Sequence, residues 1–163
     1  MFGKWLQGNL VDMTVAVSEA VRQCLVTEYR YPAEKTVTIH NGIDLTSFSD
    51  GTIRRGRSVD ACASTEDQTV RIICVARLSP VKRIDILLEA LAFLDKMGNN
   101  WTCAIVGGGP LESELVKKAQ SLGLTSKVRF TGHVENVRSY MEAADLAVLS
   151  SDKEGLPLSL VEA

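Results

Sequence analysis

The sequence predicts an α/β protein built on a doubly wound parallel sheet, and three observations carry that expectation. Four largely apolar runs of strand length follow one another from residue 70. Between them lie stretches with apolar residues at i, i+3 and i+4, the spacing of amphipathic helices. The strand runs do not alternate with polar residues, so both faces of the sheet should be covered, as in parallel sheets. Right-handed crossovers between such strands favour the doubly wound arrangement.

Each element can be justified in order. Val15-Ala16-Val17-Ser18 reads as a short buried strand, and Val21, Cys24 and Leu25 mark the helix behind it. Thr36-Val37-Thr38-Ile39 alternates like a second strand and runs into the turn signal Asn41-Gly42. Residues 45 to 69 are rich in Ser, Thr, Gly, Asp and Arg (Arg54, Arg55, Arg57) and hold no periodic pattern, which is linker composition. The run from Val70 to Ala76 is apolar except for Arg71. Ile84, Leu87, Leu88 and Leu91 give the helix after it. Trp101 to Val106 is the next strand, ending in Gly107-Gly108-Gly109-Pro110, with Pro110 expected in the first turn of the following helix. Leu111, Leu115, Ala119 and Leu122 mark that helix, and Gly123 is its expected stop. Val128 to Thr131 is a third strand, Val137, Tyr140, Met141 and Ala144 a third helix, and Leu146 to Leu149 a fourth strand.

Bulk properties narrow the function classes. The chain has 163 residues, 45% of them apolar and 23% charged, which excludes disorder by composition. A net charge of −2 provides no global attraction to nucleic acid or to an acidic membrane, so any anion site must be a local cluster. No apolar run approaches the roughly 20 residues of a membrane helix. The N-terminal residues lack the apolar core of a signal peptide, and a cytoplasmic location is expected. The four cysteines (Cys24, Cys62, Cys74, Cys103) form no Cys-x-x-Cys pair and read as small buried thiols of a reducing compartment. Only two histidines, His40 and His133, are present, which leaves a zinc site almost nothing to use.

In the strand order 3-2-1-4, ligands sit outside the carboxyl ends of strands 1 and 4, where the winding reverses. The loop from Arg77 to Lys82 and the loop from Ser150 to Gly155 should therefore face each other across a crevice. Arg77 presents a planar fork to phosphate oxygens, and Lys82 a point charge near the next helix start. The glycines from Gly107 to Gly109 permit close backbone approach, to a ligand or within a tight turn. Glu112 stands where the dinucleotide fingerprint needs glycine, so a nicotinamide cofactor is poorly supported. Gly155 would let the chain turn closely against a ligand, and Pro157 would open a helix whose free N–H groups face the crevice. Glu154 and Glu162 are eight residues apart, about 12 Å if all of that were helix. That exceeds the ~5 Å of a retaining glycosidase pair and suits two hydroxyl-bearing ends of one long ligand. No Asp-x-Asp occurs, so no metal–diphosphate site of that type is expected. His133 reads as a loop histidine at the solvent edge, with contact to a base or sugar as the sharper alternative.

Taken together, these residues resemble glycosyltransferase family 4, retaining enzymes of the GT-B fold. The resemblance runs from about residue 11 to the end. It takes in the segment Val15 to Glu19 and the signature Asn41-Gly42-Ile43-Asp44 with Phe48. It continues through Val75 to Lys82, Val106 to Pro110 and Phe130-Thr131-Gly132, and ends with Glu154-x7-Glu162. The resemblance implies a Rossmann-like doubly wound sheet that is incomplete, with a remnant of the N-terminal acceptor domain. Residues 1–45 would be that remnant, 46–69 the interdomain linker, and 70–163 a partial nucleotide-sugar donor domain. It implies that Arg77 and Lys82 hold the donor diphosphate, Glu154 the sugar hydroxyls and Glu162 the ribose hydroxyls. Backbone N–H groups along the stretch from Gly155 through Leu156 and Pro157 to Leu158 would support sugar or phosphate. Gly107, Gly108 and His133 would border the donor.

The implied reaction moves a sugar from a nucleoside diphosphate to a sugar or lipid-linked acceptor hydroxyl with retention, without cofactor or required metal. Two other readings stay open: a non-catalytic nucleotide or nucleotide-sugar binding module, and another GT-B-like enzyme such as a sugar-nucleotide epimerase. Against the family pattern the chain stops early, so an open sheet edge, self-association, weak nucleotide binding and no transfer by this chain alone are expected. Any peripheral membrane association would pass through the missing domain. No nucleic-acid partner is expected.

Overall fold

In the computed structural model the described residues are 10–43 and 69–162. The expected linker up to residue 68, with Arg54, Arg55, Arg57 and Cys62, lies outside them, as do Asp44 and Phe48 of the boundary signature. The described residues group into two compact units, 10–43 with 154–161 and 69–153 with 162.

The smaller unit holds two parallel strands, β1 (Thr14–Ala16) and β2 (Thr36–Thr38), joined through helix α1 (Glu19–Thr27). Ser18 caps α1, its side chain accepting from the Val21 N–H. Glu19 in the first turn accepts from the Thr38 hydroxyl at 2.8 Å and from Arg22 at 3.1 Å, and these bonds lower its pKa. The cap and the acidic first turn together fix where the helix begins.

The larger unit is a four-stranded parallel sheet in the order β5-β4-β3-β6. Its strands are β3 (Val70–Val75), β4 (Trp101–Val106), β5 (Val128–Gly132) and β6 (Leu146–Ala147). Three helices connect them: α2 (Ile84–Lys96), α3 (Glu112–Ser121) and α4 (Val137–Ala143). Counted from β3, this is the predicted 3-2-1-4 order, so the winding reverses between β3 and β6.

Alternation along the strands divides the core between the two faces. Ile72 and Cys74 on β3, with Cys103 and Ile105 on β4, join Leu87, Leu88 and Leu91 of α2 and Leu115 and Ala119 of α3 in one cluster. Ile73 and Val106 are equally buried on the opposite face, where α4 lies against β3. A strand buried on both faces cannot show a period of two, which is why the runs read as unbroken. Burial pushes the Cys74 thiol up to about 11 and that of Cys103 up to about 12, so both stay protonated at neutral pH.

Gly123 ends α3 as expected. Its φ of +76° lets the Leu124 N–H reach the Ala119 carbonyl at 2.9 Å and its own N–H the Gln120 carbonyl at 3.0 Å, a Schellman closure.

Three expectations are corrected. The first strand of the sheet stops at Val75, one residue short of Ala76. Pro110 precedes α3 rather than lying in its first turn, since the helix starts at Glu112. The last strand covers Leu146–Ala147 rather than reaching Leu149. It ends early because Val148 makes the final ladder bond to the Ile73 carbonyl, after which the chain turns toward the residues following β3.

So short an edge strand needs another anchor, and Asp145 supplies it. Its carboxylate takes the Arg71 guanidinium through both oxygens (2.9 and 3.0 Å) and also the Arg71 backbone N–H at 2.9 Å. The Asp145 N–H donates to the Arg71 carbonyl at 2.8 Å. The pair is partly exposed, which limits its Coulombic worth. Asp145→Ala should still cost about 1–2 kcal/mol, because the backbone N–H loses a charged acceptor as well. Urea unfolding monitored at the tryptophans checks this; an unchanged midpoint would contradict the anchoring role.

Candidate functional site

At the carboxyl edge of the larger sheet, the loop after β3 is held by backbone bonds on both sides of Arg77. The Ala76 N–H donates to the Val106 carbonyl, and the Leu78 N–H to the Gly108 carbonyl, each at 3.0 Å. The Leu78 carbonyl accepts from the Leu111 N–H. Leu78 is fully buried, whereas Arg77 between these anchors is exposed. A cation on a fixed backbone with its side chain in solvent suits an incoming anion.

The glycines explain how the two loops come this close. A Cβ on Gly107 would lie 2.3 Å from the Ala76 carbonyl oxygen, and one on Gly109 would lie 2.4 Å from that of Leu78. Gly107 also has a φ of +125°. These two glycines thus serve loop-to-loop packing. Gly108 differs, since its Cβ would meet only ordinary contacts, with Glu112 Oε2 at 3.7 Å and the His133 backbone nitrogen at 3.9 Å. A bulge at the end of β5 brings His133 there: register shifts after Ile105, Gly132 takes φ +67°, and the Gly107 N–H donates to the Gly132 carbonyl. His133 is exposed. Of the sequence-predicted site, then, Arg77, Gly107, Gly108 and His133 share one edge of the sheet.

Lys82 sits in a single 3-10 turn, Pro80–Lys82, just before α2. The predicted crevice between this turn and the loop after β6 is corrected, because the two are bonded to each other. The Asp152 N–H donates to the Val81 carbonyl at 2.9 Å, and the Ser150 hydroxyl to the Lys82 carbonyl at 2.9 Å. Arg83, which the sequence reading passed over, joins them. Its guanidinium contacts both Asp85 oxygens (3.0 and 3.1 Å) and reaches Asp152 at 3.1 Å. These bonds raise the Arg83 pKa and hold the Asp85 carboxyl below its usual range. Arg83 also has a left-handed backbone (φ 47°, ψ 41°), which costs a non-glycine residue about 1–2 kcal/mol. An open groove of about 730 Å³ lies beside this pair, reaching Glu114 and Lys118 of α3; Arg77 and His133 do not line it.

The remaining predicted residues fall elsewhere. Glu154, Gly155, Leu156, Pro157 and Leu158 group with the smaller unit, and Glu162 with the larger. Pro157 stands one residue before helix α5 (Leu158–Glu162), and its carbonyl accepts from Leu160 and Val161. Only that stretch is helical, so the 12 Å all-helix separation of the two glutamates does not apply. At Gly155 a Cβ would lie 2.8 Å from a Val17 methyl, so the absence of a side chain there allows close packing against protein.

Fold and edge together define a doubly wound α/β domain of the class that takes ligands at the carboxyl ends of its parallel strands. The chain belongs to the family described as glycosyl transferases group 1, whose model matches residues 63–163. The model described as glycosyltransferase family 4 matches residues 1–47.

Among its relatives is the putative glycosyltransferase EpsF of Bacillus subtilis, 32% identical over 91% of this chain and 38% of its own length. D-inositol 3-phosphate glycosyltransferase of Mycobacterium leprae is 33% identical over 93% of this chain and 35% of its own. The solved structure of Anabaena Alr3699/HepE in complex with UDP and glucose superposes with a TM-score of 0.77 at 26% identity. That match covers 99% of this chain and 44% of HepE. The chain thus spans roughly two fifths of these relatives. Its structural neighbours are GT-B glycosyltransferases, in agreement with the predicted fold.

Proposed function

We propose that this chain supplies the donor-binding part of a glycosyltransferase that moves a sugar from a nucleoside diphosphate to an acceptor hydroxyl with retention of configuration. The observation that carries the reading is the carboxyl edge of the larger sheet. There Arg77 projects from a backbone pinned at Ala76 and Leu78, beside a glycine loop with space at Gly108. Family membership supports the same reading, as does a second HepE structure, solved in complex with UDP-glucose.

In this reading Arg77 and Lys82 offset the charge that builds on the departing phosphate as the bond to the anomeric carbon breaks. Glu154 accepts from sugar hydroxyls and Glu162 from ribose hydroxyls, while His133 borders the donor beside Gly108. Residues 1–45 belong to the acceptor side, 46–69 link, and 70–163 bind donor. Neutralisation by cations makes a metal unnecessary. The acceptor is a sugar or lipid-linked hydroxyl, and the protein works in the cytoplasm or at the membrane periphery. Among the described residues no helix is long and apolar enough to cross a membrane.

Thermal shift and calorimetry with UDP-, GDP- and ADP-glucose test the donor site. One of the three should stabilise the chain, by about 2.7 kcal/mol at a concentration 100 times its Kd. EDTA should leave the effect intact. If none of the nucleotides binds, or if binding persists unchanged in Arg77→Ala with Lys82→Ala, the reading is wrong.

A further inference from the structure

Arg83 combines three features that together ask for an explanation. It adopts a left-handed conformation that glycine would take without strain. It stands at the N-cap of α2 yet makes no side-chain capping bond to the helix backbone. Its side chain instead bridges two carboxylates, Asp85 on its own helix and Asp152 after β6. A strained residue persists where its surroundings over-determine it, and here what determines it is the bridge glycine cannot make.

The bridge lies where the two loops of the winding reversal meet. Around it, the Asp152 N–H bonds to Val81 and the Ser150 hydroxyl bonds to Lys82. Both bonds end on carbonyls of the turn that carries the Lys82 ammonium. The backbone of Arg83 serves the same junction, donating to the Pro80 carbonyl and accepting from Ile86 and Leu87. Loss of the guanidinium would remove one of the links that hold the turn to the loop after β6.

We infer that Arg83 is a positioning residue: by bridging Asp85 and Asp152 it locks the Lys82 turn to the loop after β6 and so fixes the ammonium for a nucleoside diphosphate. This rests on the donor-site reading of Arg77 and Lys82. Arg83 itself need not touch the ligand, because its guanidinium is already occupied by two carboxylates.

The test uses Arg83→Gly, Arg83→Lys, Asp152→Asn and the Arg83→Gly/Asp152→Asn double variant of this chain. UDP, GDP and ADP serve as calorimetric probes, with Tm and amide exchange of Asp152 measured alongside. Arg83→Gly should keep or raise Tm, since glycine suits the backbone, yet exchange faster at Asp152 and bind the preferred nucleotide at least fivefold more weakly. Arg83→Lys should restore part of the affinity. The double variant should bind no more weakly than the worse single, because either change breaks the same bridge.

Wild-type affinity in Arg83→Gly would overturn the inference. So would an affinity loss that tracks a lowered Tm and faster exchange across the whole sheet, which marks a merely structural role. If the wild type binds none of the three nucleotides, the donor reading fails separately, and exchange decides the lock. Equal Asp152 exchange in wild type and Arg83→Gly then refutes it, and faster exchange in the variant upholds it.

Discussion

Gly107→Ala should be among the most damaging single substitutions in the larger unit, costing roughly 2–6 kcal/mol. Two terms add. A φ of +125° is strained for any L side chain, at about 1–3 kcal/mol. The new methyl would also sit 2.3 Å from the Ala76 carbonyl oxygen, and relieving that overlap means parting the loops that flank Arg77, at about 1–3 kcal/mol more. Total stability for such a domain is on the order of 5–15 kcal/mol, so this is a large share. The matched control is Gly108→Ala, whose methyl meets nothing closer than 3.7 Å. It should stay within about 0.5 kcal/mol of wild type. Urea midpoints at equal m-value measure both. Equal stability of the two variants would show that the loops are not packed backbone to backbone.

Arg77→Ala should do the reverse, leaving the fold intact while removing function. The side chain is exposed, so stability should change by less than about 0.5 kcal/mol. In the proposed reaction the loss of one preorganised charge contact should lower turnover by roughly 10²–10³-fold. Arg77→Lys should recover only part of this, since an ammonium cannot reproduce the two-pronged contact of a guanidinium with phosphate oxygens. Steady-state kinetics with the sugar nucleotide that binds best, in protein carrying both domains, is the measurement. Turnover in Arg77→Ala within a factor of two or three of wild type would remove Arg77 from the mechanism.

Much of this architecture was legible in the residues themselves. Val70–Val75 and Trp101–Val106 are apolar throughout except at Arg71 and Thr102, and both proved to be central strands. The helix after each was marked by its leucines, and Gly123 by its place after the last of them. The strand order is the commonest one for the doubly wound sheets that right-handed crossovers favour. Arg77, Gly107, Gly108 and His133 were picked out as residue types at loop positions, and the structure places all four at one edge.

What escaped has a common cause. Leu146 to Leu149 looks like a strand, but the ladder ends at the Val148 N–H, after which the chain turns toward the Pro80–Lys82 turn. Arg83 gave no signal, because nothing local predicts a left-handed arginine. Its partner Asp152 lies 69 residues away. Three successive glycines are equivalent in a sequence, yet one faces the Ala76 carbonyl, one faces Leu78, and the middle one has room.

The sequence by itself determined the class of fold and the chemical types at the carboxyl edge of its sheet, because periodicity, turn residues and strand length are properties of neighbouring residues. Tertiary structure alone decided which glycines are sterically obligatory, where the last strand ends, and that Arg83 rather than Arg77 joins the acid after β6. Those outcomes depend on distances between segments far apart in the chain, and only packing the sheet sets such distances.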